Sequence, residues 1–179
     1  MATAVFCIAE TRGQVESIVY RLRVAGFSGD EISVLLPAVP GTGGRGSSPS
    51  QPDPELAFAA GSLGKLTGIG TLRMSDVGPV LAAGPVMARL NGLQAGASPN
   101  GLRRSLVAIG LPHAEARRYA GELTIGHSLV AAHAGNTDKE RIADAIFREA
   151  GARHIAALPR HAEVELGDPS EPRGAPDVG

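Results

Sequence analysis

The sequence predicts an α+β protein. Three observations carry that prediction: a strand, helix, strand pattern at each end of the chain, recurrence of the same letters in those two ends, and strands that are apolar on both faces. "RLRVAGFSGDEISVL", residues 21 to 35, corresponds to "IFREAGARHIAAL", residues 146 to 158, so that Gly26 matches Gly151. Thr11 matches Asn136 at the same separation. Each unit spans about 30 residues, the size of a βαβ element. Two such units in series make a ferredoxin-like split βαβ sandwich. In it the first and third strands lie side by side in the middle of a four-stranded antiparallel sheet, and the helices cover one face.

The first half, residues 1–37, opens with the apolar run "TAVFCIA". Thr11 is the N-cap of a helix whose apolar stripe is Val15, Ile18, Val19 and Leu22, at three-to-four spacing. Gly26 stops it, and "EISVLLP" is the second strand, ended by proline. Residues 38–55, "AVPGTGGRGSSPSQPDPE", form a Gly, Pro and Ser linker with little that could offset the entropy of ordering. Residues 125–160 are the second half: "HSLVAAHAG" is a strand, and Asn136 caps a helix with Ile142, Ala145, Ile146 and Ala150 inward. Gly151 stops that helix, and "ARHIAAL" is the last strand. Residues 161–179 read as a disordered, polar, proline-rich tail.

The central strands do not alternate as a half-wet antiparallel sheet should. Val5, Cys7 and Ala9 lie on one side, with Phe6 and Ile8 on the other; Val130 and Ala132 oppose Leu129 and Ala131. Something therefore covers the second face, either another subunit or the insertion at residues 56–124. That insertion has Ala60, Gly64 and Gly68, and again Ala88, Gly92 and Gly96, at four-residue intervals, with Gly84 between the two runs. On helices, positions four apart share a face, and a strip without side chains admits another backbone closely. The spacing predicts short helices forming a glycine-zipper hairpin, with Pro79 beginning the second helix and Pro85 bending it. "PNGLRRSLVAIGL" then gives a short helix, and "PHAEARRYAGEL" an amphipathic one with Ala116, Tyr119, Ala120 and Leu123 along a stripe.

Composition excludes several functions. With 17 Lys plus Arg against 18 Asp plus Glu, the chain lacks the basic surplus that displaces counterions from nucleic-acid phosphates. Aromatic content of 3% leaves few stacking platforms. Lone Cys7 excludes an internal disulfide, the N-terminus is not a secretory signal, and a cytoplasmic location is expected. The longest uncharged apolar run, Val77 to Ala88, is too short to span a bilayer. Peripheral membrane attachment stays open.

No reaction emerges from the motifs. "AAGSLGKLTG" approaches a phosphate-binding loop, but Ala59 stands where the pattern needs Gly and Leu66 where it needs Ser or Thr. Cys7 and His133 suggest a nucleophile and base on neighbouring strands, yet their parity sends them to opposite faces. His127 and His133 lie roughly 20 Å apart along an extended strand and cannot share an ion. No metal or cofactor is expected. Arg103, Arg104, Arg117 and Arg118 gather on two adjacent helices where an anion or acidic partner could dock. Arg104, Arg117 and His133 are the candidate ligand or anion residues.

"AAGPVMARLNG", the run Gly110, Leu111, Pro112, Glu115, Ala116, Tyr119, and the strand Gly126, Leu129, Val130, His133 resemble a bacterial family. Its members are called general stress or heat-induced stress proteins, with a YflT-like domain. The resemblance covers most of residues 3 to 158. It implies an intracellular, stress-associated protein without catalysis, and brings no active-site residues. The insertion departs from the family pattern through Lys65, Arg73, Asp76, Arg89, Arg103 and Arg104, which argue against membrane insertion. The expectation is thus a non-enzymatic stress protein that self-associates or binds a protein partner, with Ala60, Gly64, Gly68, Gly84, Gly92 and Gly96 as its packing strip. A small-ligand sensor is the alternative.

Overall fold

The computed structural model describes residues 3–37, 63–74, 77–92 and 101–159. Strand β1 (Thr3–Ala9) leads into helix α1 (Arg12–Val24), where Thr11 accepts the Gln14 N–H at 3.2 Å. Strand β2 (Ile32–Pro37) follows. At the far end, strand β5 (Ser128–Ala134) leads into helix α5 (Thr137–Glu149), where Asn136 accepts the Lys139 N–H at 2.8 Å, and strand β6 (Arg153–Pro159) closes the chain of elements. Both helices end alike. Gly26 and Gly151 take φ of +92° and +71°, the left-handed conformation glycine adopts without a Cβ penalty. Phe27 N–H then reaches back to the Leu22 carbonyl at 3.0 Å, and Ala152 N–H to that of Phe147 at 2.9 Å. The Gln14 side chain donates to the Ala150 carbonyl at 2.8 Å, tying the start of one helix to the end of the other.

The strands among the described residues form one antiparallel sheet of six, ordered β3-β4-β2-β5-β1-β6. β1 and β5 pair along their whole length, Thr3 opposite Ala134 and Ala9 opposite Ser128. The sheet is larger than the four strands expected because the insertion supplies two. These are β3 (Gly70–Met74) and β4 (Gly78–Ala83), a hairpin whose β4 adds to the free edge of β2.

That hairpin replaces part of the expected glycine zipper. Gly68, Gly70, Gly78 and Pro79 stand within twelve residues of sequence, and each weakens a helix by about 1 kcal/mol for Gly and 3 for Pro. Val80 to Ala83 instead pairs with Val34 to Pro37. Pro79 lies past the end of that ladder, where β2 needs no N–H from it. Gly64 is exposed in a three-residue turn, Leu63–Lys65, and Gly68 is exposed in a bend, so the two share no helix face. The first α-helix among the described residues of the insertion is α2 (Pro85–Gly92), which begins at Pro85 instead of bending there; Gly92 is its last residue. Ala60 and Gly96 lie outside the described residues. Helix α3 (Gly101–Ala108) and helix α4 (His113–Thr124) complete the insertion.

Gly84 packs closely, although its neighbour is the chain's own sheet. At φ +85° it sits against β2, where a Cβ would overlap the Ile32 carbonyl oxygen. Its N–H donates to the Thr67 carbonyl at 2.6 Å.

The two faces carry separate cores. Val5, Cys7, Ala9, Val130 and Ala132 pack with Val15, Ile18, Val19 and Leu22 of α1 and Ala143, Ile146 and Phe147 of α5. Phe6, Ile8, Leu35, Leu129 and Ala131 pack with Val86, Met87 and Leu90 of α2, Leu102 and Leu106 of α3, and Ala116, Tyr119 and Leu123 of α4. The second face is therefore covered by the insertion, within one chain. Among the described residues no helix is long and apolar enough to cross a membrane.

Candidate functional site

Three polar centres stand out, all on the insertion side of the sheet. The first joins β2 to β5. Ser33 has the same parity as Leu35, so its hydroxyl enters the insertion-side core, where Oγ lies 2.9 Å from His133 Nε2. Oγ also accepts the Val86 N–H at 3.3 Å, fixing the first turn of α2 to the sheet. A hydroxyl beside an imidazole is the beginning of a nucleophile and base pair. Here Ser33 is only 1% exposed, so no substrate carbonyl reaches it. The cleft beside His133 is lined by Phe6, Arg89, Leu158 and Pro159 among others. Its accessible volume of about 20 Å³ suits a water, not a metabolite. Cys7 points to the opposite face, as the parity requires, and burial raises its thiol so that it stays protonated.

The second centre lies where α4 meets the edge strand β6. Glu122 Oε2 is 2.6 Å from His127 Nδ1, and Oε1 is 3.3 Å from His154 Nε2. Tyr119, on the same helix, donates its hydroxyl to the His154 carbonyl at 2.6 Å. The hydrogen bond from His127 and the neighbouring imidazoles hold the Glu122 carboxyl below its ordinary range, against a smaller opposing effect of burial. Burial above all keeps the Tyr119 phenol protonated, with its pKa raised. The geometry of β6 explains why His154 needs these partners. Phe6 faces Ala156 while Ile8 faces Arg153, so His154 and Ile155 together oppose Cys7 in a β-bulge. His154 carries φ +49°, among the described residues the one positive φ outside glycine. Such a conformation costs on the order of 1–3 kcal/mol and persists where contacts over-determine it. No trio of His, Cys, Asp and Glu among the described residues is arranged to hold a metal ion.

The third centre is a cationic cleft between α3 and the start of α4, lined by Arg103, Arg104, Val107, Ala108 and His113, with about 360 Å³ of accessible space. Both arginines are exposed.

The sequence candidates are thus distributed. Arg104 lines the cationic cleft, His133 lines the narrow one with Arg89, and Arg117 is exposed on α4 and lines neither. The three do not form a common site. Sequence reasoning missed Ser33, whose parity with Leu35 in "EISVLLP" was the available signal. It also missed Glu122, which meets partners five and 32 positions away along the chain. No family model, curated protein or solved structure matches this chain.

Proposed function

We propose that this is a non-enzymatic, stress-associated bacterial protein of the cytoplasm that acts by association, with a second copy of itself or with a protein partner. On this reading β2-β5-β1-β6 is a ferredoxin-like core to which the insertion adds two strands and a second helical layer. The stress assignment rests on the resemblance of the "GLP", Glu115, Tyr119 and Gly126 to His133 motifs to YflT-like proteins. The preference for association over catalysis is supported by how the polar groups are spent: Ser33 and His133 secure α2, and Tyr119 and Glu122 secure β6.

The contact surface differs from the glycine strip, because the second sheet face is already buried by the chain's own insertion. The observation that carries the revised surface is on α1. Tyr20 and Val24, one helical turn apart, are 69% and 71% exposed on the side turned away from the sheet. A Tyr and a β-branched residue at that spacing form one apolar ridge, and tyrosine is enriched where proteins meet.

The test is the double substitution Tyr20→Ser with Val24→Ser, followed by light scattering over a concentration series and by pulldown from stressed cells. The expected wild-type mass exceeds the 18.3 kDa of one chain, or a partner is retained, and the double variant loses that association with an unchanged melting temperature. Monomeric mass throughout, together with a pulldown that the substitutions leave unchanged, overturns the reading.

A further inference from the structure

We propose that the cleft between α3 and α4 is a binding site for a phosphate-bearing small ligand, held by Arg103 and Arg104 with His113 at its rim. This rests on different observations from the association reading, since α1 lies on the opposite face of the sheet.

The chemistry of the lining is one-sided. Of the described residues around the cleft, two are arginines and one is a histidine, and none of them is a carboxylate. Helix α3 contains no acidic residue at all. The nearest carboxylate in sequence, Glu115 on α4, is turned to Arg118 at 3.5 Å. Arg103 has no hydrogen-bond or ion-pair partner among the described residues, unlike Arg21, Arg148 and Arg153, each of which meets a carboxylate. In a chain of net charge −1, two adjacent arginines beside a histidine, with no carboxylate among the described lining residues, make a local positive site that the overall composition does not foretell.

Size narrows the ligand. The accessible space of about 360 Å³ falls at the lower end of the range for small-molecule sites, about 300–1,000 Å³. Among the described residues, Val107 and Ala108 add apolar surface beside the two arginines. A compact anion fits these terms. The guanidinium fork matches phosphate oxygens in pairs, through charge-assisted hydrogen bonds about twice as strong as neutral ones. Such a ligand has its charged head between Arg103 and Arg104 and the remainder in solvent.

The position gives binding a route into the fold. On the inner side of α3, Leu102 and Leu106 are buried in the second core, and Ser105 bonds its own helix through the Gly101 carbonyl at 2.8 Å. A ligand that fixes the outer side of α3 against the start of α4 stabilises the layer covering the sheet.

The full chain is titrated calorimetrically with inorganic pyrophosphate, and in parallel floated with vesicles of phosphatidylglycerol. The expected result is saturable binding of one pyrophosphate per chain. Arg103→Gln and Arg104→Gln each weaken it at least tenfold, while Arg141→Gln, exposed on α5 across the sheet, leaves it unchanged. Both cleft arginines are exposed, and circular dichroism and melting temperature confirm that their variants fold. If the vesicles bind and pyrophosphate does not, with the same dependence on Arg103 and Arg104, the phosphate belongs to a lipid headgroup. Absence of binding in both arms, indifference to Arg103→Gln and Arg104→Gln, or an equal loss with Arg141→Gln overturns the proposal.

Discussion

The two faces of the sheet bury similar numbers of apolar side chains by different means. The first face is built by two helices from the repeated halves, each opened by a side-chain cap at Thr11 or Asn136 and closed by Gly26 or Gly151. Among the described residues, the second face is built by three helices whose placement depends on contacts to distant residues. α2 is anchored by Ser33 of β2, its preceding Gly84 lies against Ile32, and α4 is pinned to β6 through Tyr119 and Glu122. Local chemistry shapes one layer, and long-range contact shapes the other.

The largest effect comes from emptying either core. Phe147→Ala, beneath α5, is expected to destabilise by about 3–5 kcal/mol, and Leu106→Ala, beneath α3, by about 2–5 kcal/mol. β1 and β5 have one parity in each core, so thermal unfolding of both variants is expected to remain a single transition. Two separated transitions in the Leu106→Ala variant would show that the insertion layer melts by itself, and would break the equivalence of the faces.

Gly84→Ala ranks next. A side chain at φ +85° adds about 1–2 kcal/mol of backbone strain, and overlap with the Ile32 carbonyl forces β2 or α2 to shift, typically about 1–3 kcal/mol more. Gly68→Ala provides the contrast. It also has a positive φ, +65°, but nothing lies within contact of the added carbon, so only the strain should appear. Equal losses at the two positions, measured by urea denaturation, would remove Gly84 as the close-packing point.

The smallest effect sharpens the comparison through pH. The Glu122 carboxyl is held below its ordinary range in the folded chain, first by the His127 hydrogen bond. The unfolded chain therefore binds that proton more readily, so this contribution to stability is complete above the unfolded pKa and is lost as pH falls through the folded one. Glu122→Gln is expected to flatten part of the acid limb of the stability curve, between about pH 4.5 and the lower folded value. Glu31 behaves in the same direction on the other face. Its pKa is lowered because bonds from Lys139 and Ser28 outweigh the opposing effect of burial. Glu31→Gln should flatten the same limb. An acid limb untouched by Glu122→Gln would show that α4 is secured without that carboxylate.

Legibility in the sequence follows the same division. The two caps, the glycine stops and the opposed parities of β1 and β5 were readable because each depends on residues a few positions apart, and the repeat because those local signals recur in the same order. The β3-β4 hairpin was not. Val80 to Ala83 is a short apolar run that periodicity alone assigns equally to a buried helix or strand, and the deciding partner, Val34 to Pro37, lies more than forty residues earlier in the sequence. Glycine spacing suggested a helical strip, whereas Gly68 and Gly84 serve positive-φ turns and Gly84 a close approach. For the polar centres, His133 was correctly placed on the face opposite Cys7. Its partner Ser33 sat inside an apolar strand, and the triad of Glu122, His127 and His154 is assembled only when β6 comes to lie beside β1.

The pairing of β1 has a consequence for the chain as it is made. Both neighbours of β1, the strands β5 and β6, come from beyond residue 127, so TAVFCIA leaves the ribosome without its neighbours in the sheet until more than a hundred further residues have been synthesised. Such distant closure slows folding and prolongs exposure of apolar segments. A break in translation before β5 leaves a fragment that lacks both neighbours of β1 and cannot assemble the centre of its own sheet.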